Sequence, residues 1–251
     1  MLKVLFQDDY YVAVHKSAGL LVHRSAIDRL ETRFALQLTR DLIGQRVYPV
    51  HRLDKPTSGT LLFALSSEAA HAAMLLFSSG RIDKEYLAVV RGYTLSQDCI
   101  DYPLIEQHDA MTDARANTSP IAQAAVTDYQ QIAQVELPHA VGRYATARYS
   151  MLKLRPRHGR KHQIRRHMKH IFHPIVGDTS HGDGRHNTFF REQFDCHRLL
   201  LAATRLTFVH PFSNAQVRID APLEASFTRI TDALGWGMHT RANSEIMSSN
   251  I

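Results

Sequence analysis

The order of strand-like and helix-like segments constrains the fold of this chain more than any other feature of its sequence. Residues 2–6 and 10–15 are short apolar runs on either side of a polar turn, which is typical of a β-hairpin. Residues 205–211 and 216–220 repeat the pattern near the other end of the chain. Helix-like segments interrupt the strands irregularly. We therefore predict an α+β fold around a mixed, mainly antiparallel sheet with flanking helices.

The spacing of apolar residues predicts four helices. Leu30, Phe34, Leu38 and Leu42 recur every four residues and predict a helix that ends near Gly44. The other helices are predicted over 68–79 behind the N-cap Ser66, from His162 through Ile164, Met168 and Ile171, and around Phe227, Ile230 and Leu234; further strands are predicted at 60–65, 84–92, 124–132 and 147–154.

No linker or internal repeat divides the 251 residues, and an apolar content of 44% is that of a globular protein. Residues 1–236 are therefore expected to form a single domain. Residues 106–123 are polar and aperiodic, which predicts a long surface loop. Residues 237–251 have no apolar period and are expected to be a flexible C-terminal tail.

The composition also bears on where the protein works. No apolar run approaches the ~20 residues that a membrane helix requires. The first residues include acids where a signal peptide would be apolar. Cys99 and Cys196 are too few for a disulfide framework and are expected to be two buried free thiols. We expect a cytoplasmic protein with no membrane partner.

Positive charge is concentrated in one part of the chain. Residues 137–177 contain ten Lys or Arg and no Asp or Glu, whereas the remaining twenty Lys and Arg are outnumbered by all 24 acids. Such a segment is either a solvated surface or a binding site for a polyanion, since neutralising phosphates releases counterions. An acid-free run of this length favours the polyanion.

The stretch HRLDKPTSG, residues 51–59, surrounds one acid with basic side chains. His51, Arg52 and Lys55 flank Asp54, and such neighbours favour the ionised carboxylate. An ionised carboxylate can act at a sugar carbon, as in glycoside chemistry. Asp54 could equally cap a turn ahead of Pro56. The local residues leave both interpretations open.

The basic helix near residue 162 raises a metal hypothesis, because His162, His167, His170 and His173 lie close together in sequence. No carboxylate or thiol nearby completes a zinc site, and the neighbouring arginines would repel a cation, so no metal is expected. The chain has no GxGxxG, P-loop or GxSxG motif, so nucleotide-cofactor and serine-hydrolase chemistry have no sequence support.

Together these motifs resemble the RluA family of pseudouridine synthases. The resemblance rests on HRLDKPTSG at 51–59, KEYLAVVRG at 84–92, LRPRHGRKHQIRRHMKHIFHPIVGD at 154–178 and LTFVHPF at 206–212, which occur in the family's order. It covers about residues 2–235. His158 stands where the family usually has Thr, and Ala202 where most relatives have His.

The resemblance implies a bisected sheet with a central cleft, the pseudouridine synthase fold. It implies that a uracil is detached from its ribose, rotated and rejoined through C5, with no cofactor and no metal. Asp54 would be the catalytic carboxylate, Arg165 its ion-pair partner and Tyr86 the residue lying on the uracil. Arg52, together with His51, would act in base flipping and substrate contact.

The basic segment is expected to bind the phosphates of the RNA through Arg157, Arg160, Lys161, Arg166 and Lys169. The sequence most resembles the branch of the family that modifies uridine 65 of transfer RNA, and a monomer is expected. A ribosomal-RNA enzyme of the same family remains an alternative, because both would share the motifs of the cleft. A non-catalytic RNA-binding protein is a second alternative, although the set Asp54, Tyr86 and Arg165 is intact.

Overall fold

The structure is a computed structural model that describes residues 2–23, 31–105 and 121–240. The strands are β1 (Lys3–Gln7), β2 (Tyr11–Lys16), β3 (Tyr48–Pro49), β4 (Ser58–Ala64), β5 (Ile82–Arg91), β6 (Gln97–Asp101), β7 (Leu104–Ile105), β8 (Ala122–Gln123), β9 (Val126–Leu137), β10 (Ala147–Pro156), β11 (Leu201–Val209) and β12 (Gln216–Asp220). The helices are α1 (Ala35–Ile43), α2 (Ser67–Ser78), α3 (Gln163–His170), α4 (Gly184–Phe194) and α5 (Ala225–Ala233).

Within the described ranges, ten strands form one sheet. Its order is β1-β2-β4-β11-β5-β10-β9-β6, with β12 also beside β11 and β3 also beside β4. The pair β4 and β11 is parallel, and the other pairs are antiparallel. The prediction of an α+β fold with a mixed, mainly antiparallel sheet is confirmed.

The short parallel contact in the middle of the sheet depends on a glycine. Gly59 lies opposite Ala203 and has a φ of 118°, in the region that favours glycine. A Cβ at Gly59 would lie 2.0 Å from the carbonyl oxygen of Ala203. The strand that follows Asp54 therefore reaches β11 only because residue 59 has no side chain.

Gly59→Ala is expected to lower the free energy of unfolding by about 3 kcal/mol or more, since backbone strain and overlap with β11 add together. Gly19→Ala is the matched control, because Gly19 has a φ of 85° but a Cβ added there would have no atom within 4 Å. That control should cost only about 1 kcal/mol. Urea denaturation measures both, and equal losses in the two variants would contradict the role given to the β4–β11 contact.

Side chains of β5 alternate between two apolar layers. Leu87 and Val89 pack with Phe190 of α4 and Phe227 of α5. Ala88 and Val90, together with the half-buried Tyr86, pack with Ile164 and Met168 of α3. The helix that carries Arg165 is thereby fixed on the face of the sheet to which Tyr86 belongs.

Most of the predicted segments are present with small shifts of their ends. Ser66 caps α2 as predicted, its hydroxyl accepting the backbone N–H of Ala69 at 3.1 Å. The first predicted helix begins later than expected: α1 starts at Ala35, because Phe34 forms a bridge with Leu21, and Leu30 lies outside the described residues.

Helix α4 and strand β6 were not predicted, nor were the two-residue strands β3, β7 and β8, of which β8 lies within the predicted loop. Helix α4 is rich in polar residues, and its apolar face consists of Phe189, Phe190 and Phe194. Strand β6 has only Ile100 buried. The prediction that both thiols are buried was wrong for Cys99, which lies exposed on β6, whereas Cys196 is buried. The predicted loop at 106–123 and tail at 237–251 lie largely outside the described residues, apart from β8 and residues 237–240. The assignment of 1–236 to one domain stays a prediction.

Candidate active site

The loop that carries Asp54 is held in place on both sides. The backbone N–H of Thr57 donates to the Asp54 carbonyl at 3.0 Å and closes a tight turn. The Nε2 atom of His51 accepts the N–H of Leu62 in β4 at 2.9 Å, and its ring stacks on Phe77. Burial, assisted by the charge of Lys84, lowers the pKa of His51 to about 3. A neutral His51 thus fastens the loop to the sheet.

Lys16 also holds the loop that carries Asp54, a role that the sequence analysis missed. Its side chain is fully buried, and its Nζ donates to the carbonyls of Ser17, Leu20 and Lys55 at 2.7–3.1 Å. Burial lowers the pKa of Lys16 to about 7, against the opposing effect of the Glu224 and Asp54 carboxylates. A lysine ending the apolar strand YVAVHK was the available signal.

Arg165 connects two carboxylates. One of its amino groups donates to Asp54 Oδ2 at 3.1 Å. Its Nε and its other amino group donate to the two oxygens of Asp178 at 2.7 and 2.8 Å. The side chains of Arg165 and Asp178 are only 4% and 1% exposed, whereas that of Asp54 is 26% exposed. Asp178 therefore fixes the guanidinium in place. The amino group of Arg165 that does not contact Asp178 donates to Asp54 at the surface of a cleft.

Asp178 is a second site residue that the sequence analysis did not single out, although it ends the motif at 154–178. Burial by itself would raise the pKa of Asp178, but the bonds from Arg165 and from the backbone N–H groups of His181 and Ser180 outweigh it and hold the pKa below its ordinary value. Asp178 is thus a permanently ionised anchor for Arg165 at neutral pH.

Two histidines also lie near Asp54, one of them approaching the carboxylate oxygen that Arg165 contacts. His162 Nδ1 and His181 Nε2 are 3.0 Å apart, and His162 Nε2 lies 4.0 Å from Asp54 Oδ2. Burial lowers the pKa of both rings, that of His181 to about 4, so both are neutral at pH 7. No group of three His, Cys, Asp or Glu side chains in the described part of the chain is arranged to hold a metal ion.

Asp54 faces a cleft of about 440 Å³. Arg52, which is exposed, and Tyr86, which is half-buried, line it together with His162 and Arg165. Burial, and secondarily the Asp54 carboxylate, raise the pKa of the Tyr86 hydroxyl, so it is protonated at neutral pH. Around Asp54, the cleft offers a planar ligand the guanidiniums of Arg52 and Arg165 and the aromatic ring of Tyr86.

A family description, RNA pseudouridylate synthase, matches residues 10–170 of the chain. This chain belongs to that family. It is an isomerase that converts uridine in RNA to pseudouridine, so the uracil is released from ribose C1′ and reattached through C5. The resemblance to pseudouridine synthases noted from the motifs is confirmed.

Relatives and solved structures agree with this family. A protein named tRNA pseudouridine synthase C from Vibrio parahaemolyticus serotype O3:K6 (strain RIMD 2210633) is 49% identical over 235 residues, covering 94% of this chain and 96% of the relative. Its namesake from Pasteurella multocida (strain Pm70) is 49% identical over 239 residues, covering 95% and 98%. Human RNA Pseudouridylate Synthase Domain Containing 4 is 24% identical, with a TM-score of 0.68 and 92% coverage of both chains, and supports the fold alone.

The acid-free basic segment of this pseudouridylate synthase, residues 137–177, has less unpaired positive charge than its sequence indicates. Acids on neighbouring strands pair with several of its arginines: Arg148 with Glu136, Arg155 with Glu85, and Arg157 with Asp128. The partners come from β9 and β5, which lie beside β10 in the sheet. Sequence spacing does not reveal these pairs, so the free positive charge of the segment is smaller than its composition suggests.

The predicted RNA-binding residues of the synthase differ in their surroundings. Arg157 is committed to Asp128 by bonds of 2.7 and 2.8 Å, and Arg160 donates to the Ala124 carbonyl at 3.1 Å while lining the cleft. Arg166 is half-buried, and burial lowers its pKa. Lys161 is half-buried and Lys169 is exposed. Their contacts with RNA stay predictions.

Proposed function

We propose that this enzyme isomerises a uridine in transfer RNA, and that the target is position 65. The support for transfer RNA is the 49% identity, over at least 94% of the chain, to relatives named tRNA pseudouridine synthase C. The position follows from the resemblance of the sequence to the branch that modifies it. We also infer a cytoplasmic monomer that needs neither metal nor cofactor. None of the helices in the described ranges is long and apolar enough to cross a membrane.

Asp54 is the proposed catalytic carboxylate. The observation that carries this assignment is the 3.1 Å bond from Arg165 to a carboxylate that opens into the cleft. A buried guanidinium at this distance orients one carboxylate oxygen of Asp54, leaving the other toward the substrate. The order of bond making at the ribose and at the base is left open.

The other residues of the cleft would assist flipping of the target uracil and bind it. A uracil inside a stem must leave the stack before its glycosidic bond can be reached, at a cost of a few kcal/mol. Arg52 is exposed at the rim, where a planar guanidinium can fill the vacated space and bond the orphaned partner. Tyr86 would stack on the flipped uracil. His51 would act by holding the loop, since its Nε2 is already engaged by Leu62.

The backbone of the RNA would be held by Arg160, Lys161, Arg166 and Lys169 around α3, with Arg157 contributing where it is not occupied by Asp128. Such contacts fix register and orientation and carry little sequence information. Proteins recognise RNA helices mainly by shape and backbone contacts. Recognition outside the cleft therefore does not require side chains that read individual bases.

The test is tritium release from C5-tritiated RNA, followed by mapping of the modified position. We expect release from transfer RNA and a single pseudouridine at position 65, with activity unchanged in a strong chelator. Release from ribosomal RNA alone would replace the substrate assignment by the ribosomal alternative. Tight RNA binding without release from either RNA would favour the non-catalytic alternative and overturn the proposal.

A further inference from the structure

A second groove, of about 740 Å³, lies apart from the catalytic cleft. We call it the Tyr144 groove. It is formed where the turn between β9 and β10 meets the end of β5 and the start of α4. Arg91 stands opposite Tyr149 in the β5–β10 ladder, and Tyr86 stands opposite Leu154. Five residues of strand separate the two levels, a distance of about 17 Å at ~3.3 Å per residue, and this odd number places Arg91 and Tyr86 on opposite faces of the sheet.

The walls of the Tyr144 groove are rich in arginine. Four arginines line it, and Asp183 is the one carboxylate among its lining residues. Asp183 is bound to Arg91 at 2.5 Å, and Arg148 reaches Glu136 at 3.3 Å. Arg143 and Arg185 have no ion pair within the part of the chain that the structure describes. Arg143 donates from one amino group to the Tyr144 hydroxyl at 2.8 Å, and its other donors and those of Arg185 can serve an anionic ligand.

Tyrosine rings lie between the arginines. Tyr144 is 61% exposed and Tyr93 is 39% exposed. The guanidinium of Arg143 lies 5.0 Å from the centre of the Tyr144 ring, and that of Arg148 lies 5.5 Å from the Tyr93 ring. Because Tyr144 remains largely exposed beneath its arginine, its ring has room for a second planar partner.

Gly142 makes this arrangement possible. It has a φ of 77° at the turn, and a Cβ there would come within 3.2 Å of an amino group of Arg185. Arg185 therefore approaches the turn over a position that has no side chain. The turn and the first residues of α4 present the guanidiniums of Arg143 and Arg185 to the same groove.

We propose that the Tyr144 groove binds a second segment of the RNA substrate, with an unpaired base stacked on Tyr144 and flanking phosphates held by Arg143 and Arg185. Exposed aromatic rings between cations match single-stranded RNA, because each base offers a flat face and each nucleotide an anion. The inference rests on the proposed transfer-RNA substrate, whose unpaired nucleotides lie at some distance from a uridine in a stem.

Steady-state tritium release from full-length transfer RNA tests the proposal. We expect Tyr144→Ala to raise KM about 10-fold with kcat unchanged, since loss of one stacked base weakens binding without touching the cleft. Tyr144→Phe should raise KM much less than Tyr144→Ala, because the ring remains and only the bond from Arg143 to the hydroxyl is lost. In Arg143→Ala/Arg185→Ala, the slope of log Kd against log salt should become shallower by about 1 to 2.

Arg46→Ala is the matched control, because Arg46 covers Tyr48 at 4.8 Å outside this groove. It should leave both KM and the salt slope unchanged. An unchanged KM in Tyr144→Ala, or a fall in kcat alone, would overturn the inference, as would an equal rise in KM in Tyr144→Phe. Because the unsubstituted enzyme is assayed in parallel, absence of release from transfer RNA in that sample would instead count against the proposed function.

Discussion

Asp54→Asn is expected to lower kcat/KM for pseudouridine formation by about 10⁴-fold or more while leaving RNA affinity nearly unchanged. The amide has the shape of the carboxylate but cannot act as a nucleophile or base at the ribose, and loss of such a group commonly costs this much. The loop itself should persist, since His51 and Lys16 hold it through backbone groups. Tritium release measures turnover, and filter binding measures affinity.

Asp41→Asn is the control for this experiment, because Asp41 is an exposed carboxylate on α1 that pairs with the neighbouring Arg40. It should behave as the unsubstituted enzyme in both assays. Substantial turnover by Asp54→Asn would exclude Asp54 as the catalytic carboxylate. A parallel collapse of RNA binding would instead show that Asp54 acts in binding, which the cleft geometry does not favour.

Asp178→Asn is expected to lower the free energy of unfolding by about 3 kcal/mol and to reduce turnover at the same time. Removing one member of a buried ion pair typically costs about 3–5 kcal/mol, and the lower end applies because Asp54 still accepts a bond from Arg165. Folding lowers the pKa of Asp178, so its contribution is complete at neutral pH and is lost as the pH falls below the ordinary carboxyl pKa near 4.

Urea denaturation, combined with tritium release, separates the two effects of Asp178. The double variant Arg165→Met/Asp178→Asn should be more stable than Asp178→Asn, because it no longer leaves a buried guanidinium with a lost partner. It should nevertheless be less active than Asp178→Asn, because it also lacks the Arg165 guanidinium that bonds Asp54. Asp195→Asn is the control, since that carboxylate is 77% exposed and should contribute less than about 0.5 kcal/mol. Full stability of Asp178→Asn would contradict the anchoring role.

The local parts of the site were readable from the sequence. The loop 51–59 is contiguous, and Asp54 and Pro56 belong to one turn, closed by Thr57, whose geometry depends on neighbours in the chain. The helix that begins after His162 follows from the spacing of Ile164 and Met168. The expectation that Arg165 reaches Asp54 agrees with the observed contact, while the catalytic roles of the two residues stay predictions.

The contact partners of these residues could not be predicted from the sequence. Asp178 follows Arg165 by thirteen residues, and nothing in that spacing shows that their side chains meet. Lys16 reaches Lys55 across 39 residues. The acids that pair with Arg155 and Arg157 come from strands beside β10, and the basic segment therefore seemed more available to RNA than it is.

The sequence by itself determined the family, the mainly antiparallel α+β architecture and the residues of the catalytic loop, because turns, helix periods and contiguous motifs depend on short-range geometry. Only the tertiary structure decided which charges neutralise one another and which remain free, at Asp178, around β10 and in the Tyr144 groove. The physical reason is that ion pairing falls off with distance in space, and the strand order of the sheet sets that distance independently of separation along the chain.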